Sequence, residues 1–200
     1  MESGEEMDIA RLERALRRVG EILEAEGSDY AVTIIGGAAL TLHGWIHRTT
    51  DDADILTMAT ASPPHTLFEA PDPLPAPLRA AIEIVARDLG LKREWLNRGP
   101  ARQWKTGLPP GFAERVVWKK YAGLQVGLAG RIDLIALKIF AEVDRGNLMG
   151  RGLDHSDLAQ LNATDDELDW AAGWVKTQDQ GPQFPGMVEQ VVANVKRERK

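Results

Sequence analysis

The sequence predicts an α+β (mixed α/β) fold: a small sheet with flanking helices and a helical C-terminal region. Three observations predict it. Apolar runs rich in branched residues at 30–35 and 53–58 have the length and composition of buried strands. Two further runs, 115–121 and 124–128, are joined by Ala122-Gly123 as in a hairpin. Helical periodicity occupies the N-terminus and almost everything after residue 131, so helices and strands are partly segregated along the chain.

Each element has a local reason. Ile9, Leu12, Leu16, Val19 and Leu23 recur at helical spacing, with Asp8 as N-cap and Gly27 as terminator. Residues 38–42 form a short helix stopped at Gly44. Six prolines (63, 64, 71, 73, 75 and 77) predict an exposed connection without regular structure. Residues 78–89 read as a helix closed by Gly90, while 92–111 fit either a helical turn or a loop. Ile132, Ile135 and Ile139 start a helix reaching Val143, and Gly146, Gly150 and Gly152 break the chain. A helix over 154–161 follows, with Asp154 as its N-cap. Thr164-Asp165-Asp166-Glu167 is a capping box opening a helix to about 177, and a last helix covers 186–199. The expected organisation is a core at 1–145 and a helical region at 146–200 packed on it.

Composition narrows the function. The apolar fraction of 44% suits a globular protein, and no apolar run approaches the ~18 residues of a membrane span. The acidic N-terminus lacks the basic and apolar blocks of a signal peptide, and there is no cysteine. The expectation is a soluble cytoplasmic protein with no membrane partner. Net charge is −6, which disfavours a dedicated nucleic-acid binder, yet residues 92–120 hold eight Lys or Arg against two acids. Trp95, Trp104 and Trp118 are interleaved there. Such a stretch can hold phosphates and stack bases, or it balances an acidic surface while the tryptophans fill the core.

The chemistry-bearing segment follows the first strand. Gly36-Gly37 ends that strand, and Asp52 and Asp54 follow downstream, two positions apart, at the start of the next apolar run. Period two along a strand aims both carboxylates one way while Ala53 points back. Adjacent carboxylates repel unless a cation sits between them, and hard oxygen ligands suit Mg²⁺. Taken singly, the glycines also fit a plain turn and the acids a turn-and-cap pair. His43 and His47 have no partners at metal-ligand spacing.

The order of these residues resembles the minimal nucleotidyltransferase core. Arg48-x-Thr50-x-Asp52-x-Asp54 resembles the Arg-x-Thr-x-Asp-x-Asp motif of abortive-infection type nucleotidyltransferases, a group that supplies toxins of type IV-like toxin–antitoxin pairs. The helix around Lys138 and the segment from Asp154 to Leu161 resemble that family's lysine helix and its Asp-x-x-Asp-Leu segment. The resemblance covers about 30–161. It implies Asp52 and Asp54 as Mg²⁺ ligands and catalytic groups, Lys138 and Asp157 as further catalytic residues, and Gly36, Gly37, Arg48 and Thr50 as contacts to an NTP. It implies transfer of a nucleoside monophosphate to an acceptor hydroxyl, with RNA or a tRNA end as acceptor and a cognate antitoxin as partner. An aminoglycoside-type enzyme and a non-catalytic nucleotide- or partner-binding module are the alternatives. Two departures stand out. Gly37 occupies a place where other members carry a serine, and Glu114 is the one candidate for a third carboxylate.

Overall fold

The computed structural model describes residues 6–146 and 152–198. It has the expected α+β class and separates into two compact units, 1–129 and 130–200. That division falls before the lysine helix rather than at the expected 145/146, because this helix is the centre of the second unit. Gly150 and Arg199 lie outside the described residues.

The first unit is built on a six-stranded mixed sheet. Helix α1 (Ile9–Ala25) begins at Asp8, whose Oδ1 accepts from the Arg11 N–H at 2.8 Å. It buries Leu12, Leu16, Val19 and Leu23, whereas Ile9, expected on the same apolar face, is exposed. Strand β1 (Tyr30–Ile35) leads into α2 (Gly36–His43), which starts at the glycines themselves rather than at Ala38. Strand β2 (Ala53–Ala59) runs antiparallel to β1. The proline-rich connection is not wholly irregular. Its proline-free centre forms β3 (Leu67–Glu69), antiparallel to β2, since residues 65–70 keep every backbone donor.

Helix α3 (Ala76–Leu89) precedes the two-residue β4 (Leu96–Asn97) and the short α4 (Arg102–Thr106). Strands β5 (Val117–Tyr121) and β6 (Leu124–Leu128) form the hairpin, with Ala122 at φ 51° in its turn. The sheet order is β3-β2-β1-β6-β5, with β1 and β6 parallel. The outer edge of β2 is shared: its start pairs with β4 and its end with β3. Thr33 and Thr57, register partners on β1 and β2, share a buried hydroxyl–hydroxyl bond of 2.7 Å, so two polar atoms are satisfied in the core.

The second unit is helical: α5 (Arg131–Asp144), α6 (Leu153–Leu161), α7 (Asp165–Val175) and α8 (Phe184–Glu198), with α5 packed against the other three. The capping box at α7 forms as expected. Thr164 Oγ1 accepts from Glu167 N–H at 3.2 Å, and Glu167 Oε2 accepts from Thr164 N–H at 2.9 Å. Asp154 is not an N-cap. Helix α6 begins one residue earlier, at Leu153, and the Asp154 carboxylate turns to cations instead. No described helix is long and apolar enough to cross a membrane.

Candidate functional site

In the ladder between β1 and β2, Ile35 is the register partner of Asp54. The next residue, Gly36, therefore starts α2 against the Asp54 side chain. Gly36 has φ +74°, and a Cβ built there would lie 3.0 Å from Asp54 Oδ2. A Cβ on Gly37 would lie 3.0 Å from Arg48 Cζ. The two glycines thus leave room for one carboxylate and one guanidinium at the mouth of a helix. A side chain at 37 would press into the space of the Arg48 guanidinium.

The loop delivering the acids is anchored on both sides. Thr50 exchanges two backbone hydrogen bonds with Met7, at 2.8 and 2.9 Å, and Met7 is fully buried. Thr50 Oγ1 donates to the Asp52 carbonyl at 2.9 Å, and Arg48 Nη1 donates to the Thr49 carbonyl at 2.8 Å. On the far side the Ala53 N–H donates to the Trp95 carbonyl at 2.6 Å. Asp52 and Asp54 are both partly exposed and flank the fully buried Ala53, the alternation that period two requires. A bulge in the β1–β2 ladder lies just beyond Asp54, between Thr33 and Ile34.

Charge around Asp52 is uneven. Burial holds its carboxyl above the usual carboxylate range, and Asp51 adds to the rise; Lys92 and Arg48 oppose it. Lys92 itself pairs with Asp51. Asp52 therefore carries a charge that the surrounding cations leave under-compensated. Among the described residues no three His, Cys, Asp or Glu side chains gather as a metal-ligand set. Glu114 does not complete one: it lies exposed in a 3-10 turn (Ala113–Arg115) before β5, which β1 and β6 separate from β2.

The second unit holds the other pair. Lys138 Nζ donates to Asp154 Oδ1 and to Asp157 Oδ2, each at 2.6 Å, and all three residues are buried. Arg145 also reaches Asp154. Lys138 is thus not a side chain snorkelling to the surface, and Asp157 orients it directly.

The basic stretch resolves into separate roles. Trp95 is core, with Nε1 donating to the Ile82 carbonyl at 3.3 Å, while Trp104 and Trp118 stay partly exposed. Arg93, Arg98, Lys105 and Lys119 pair with Glu83, Asp72, Glu69 and Glu13. His43 stacks on Trp45 at 3.8 Å and its Nε2–H donates to the Ala129 carbonyl at 3.0 Å, a packing role. Sequence reasoning misses Lys92 and Asn97. Lys92 is one basic residue among eight in its stretch, and a two-residue strand such as β4 leaves no periodicity to read.

Compared with protein-family profiles, curated proteins and solved structures, the chain matches none.

Proposed function

We propose that the first unit is a nucleotidyltransferase that moves a nucleoside monophosphate from an NTP to an acceptor hydroxyl. One observation carries the reading: Asp54 and Arg48 converge on the Gly36-Gly37 turn at the start of α2, two residues from an Asp52 whose charge is under-compensated. Asp54 and Arg48 take the space the glycines leave, so attraction for a triphosphate at this turn would come from the guanidinium and the positive end of the helix. Arg48 would meet phosphate charge there. Asp52 and Asp54 offer hard oxygen donors that fit Mg²⁺, and the raised proton affinity of Asp52 is what an added cation would relieve. Bound Mg²⁺ would supply charge neutralisation on the phosphates. The acceptor oxygen bonds to the α-phosphorus, the bond to the bridging oxygen breaks, and pyrophosphate leaves with that electron pair. The hydroxyl proton passes to solvent or to a carboxylate of the pair.

An RNA or tRNA acceptor and an antitoxin partner rest on the motif resemblance alone. The test is transfer of label from α-labelled NTPs, with Mg²⁺, to RNA, protein and small alcohols. The native protein is expected to label one class, and Asp52→Ala to lose at least ~100-fold of that rate. No labelling of any class by folded native protein sinks the reading.

A further inference from the structure

A cavity of about 790 Å³ opens beside β4, within the size range of small-molecule sites. Four arginines line it: Arg79, Arg93, Arg98 and Arg102. Two are already neutralised, Arg93 by Glu83 and Arg98 by Asp72. Arg79 and Arg102 are exposed and form no ion pair or side-chain hydrogen bond with another described residue. Both guanidiniums line the cavity without an ion-pair partner, and a bound anion would supply the charge they lack. Asn97 adds a neutral donor: its Oδ1 accepts from the Gly99 N–H at 2.6 Å, which fixes the amide and leaves its NH₂ for another partner. Glu94, also lining the cavity, is suited to accept from hydroxyls.

We propose that this cavity binds a phosphorylated sugar or polyol, the phosphate between Arg79 and Arg102 and a hydroxyl toward Glu94. Asn97 lines the cavity and is the β-ladder partner of Asp54, so the strand at the cavity wall lies beside the strand that carries the acidic pair. Its ligand is then the acceptor, an assignment that rests on the transferase reading, whereas the binding itself does not.

Calorimetry with ribose 5-phosphate, inorganic phosphate and ribose tests it. Ribose 5-phosphate is expected to bind saturably and more tightly than either fragment. Arg79→Gln/Arg102→Gln should weaken it about tenfold or more, as the loss of charge-assisted hydrogen bonds requires. Ribose 5-phosphate binding no tighter than inorganic phosphate, or untouched by the double substitution, overturns the proposal. So does binding lost in Arg48→Gln, which would assign the phosphate to the glycine turn. Binding that holds while labelled transfer fails keeps the cavity and removes the acceptor role. Both arginines are exposed and unpaired, so the double variant is expected to fold, and its melting curve checks this.

Discussion

Asp52 and Asp54 in the first unit and Asp154 and Asp157 in the second are held in opposite ways. The second pair is buried and shares one lysine at 2.6 Å on each side, with Arg145 added on Asp154. The first pair is partly exposed, and burial still makes Asp52 harder to ionise despite Lys92 and Arg48 nearby. A buried carboxylate with its own cation is finished; its charge belongs to the folding of its unit. A half-buried carboxylate whose neighbours under-compensate it has capacity left for a cation from outside. The difference separates acids that hold a structure together from acids suited to a ligand, although close spacing along the chain makes both pairs look alike.

The largest effect should come from the finished cluster. Lys138→Met removes the cation that the two buried carboxylates share, leaving Arg145 on Asp154. Such a break costs about 3–5 kcal/mol, or ~6–20 °C in melting temperature. Calorimetric melting checks it. If Lys138→Met melts with the native protein but loses transfer activity, the lysine is catalytic and the comparison fails.

Gly36→Ala comes next. A residue with a side chain in the left-handed region costs about 1–2 kcal/mol, and the new Cβ presses on Asp54 Oδ2. A fall of ~2–8 °C is expected, together with weaker NTP binding. Gly37→Ala should differ. Its Cβ meets only the flexible end of Arg48, and alanine is the better helix former by up to ~1 kcal/mol. Melting should hold or rise slightly while the Michaelis constant for NTP increases, about tenfold for one displaced charge-assisted contact. Equal losses of stability in both glycine variants would mean the turn is only a turn.

Much of this is legible in the sequence. The fold class, α1 with its Asp8 cap, the β5–β6 hairpin and the Thr164 capping box follow from local rules that tertiary contacts do not override. Strand β3 is hidden because six prolines dominate its neighbourhood and its three residues gain meaning only from β2. In one dimension the glycines and Arg48 read as separate phosphate contacts. That Gly37 leaves the seat for Arg48 is a spatial relation across eleven residues, which no linear pattern holds. Lys138 and Asp157 are visible as residues, but their burial, which decides what their charges do, is not.

The smallest effect is the most discriminating. Because the folded carboxyl of Asp52 lies above its usual value of 3.8, the native state binds its proton more tightly than the unfolded chain does. Stability from this group is therefore lost as pH rises from 3.8 through the raised value, and regained as pH falls. At pH 7 the native protein carries that penalty, and Asp52→Asn removes it. The variant should melt slightly higher at pH 7, on the order of 1–2 °C, with the difference shrinking as pH falls into the carboxylate range. Mg²⁺ should close the gap from the other side, by raising the melting temperature of the native protein and not that of Asp52→Asn. A variant that melts lower at pH 7 would mean the carboxylate is already satisfied, like those around Lys138, and the acidic pair would have no capacity left for a metal.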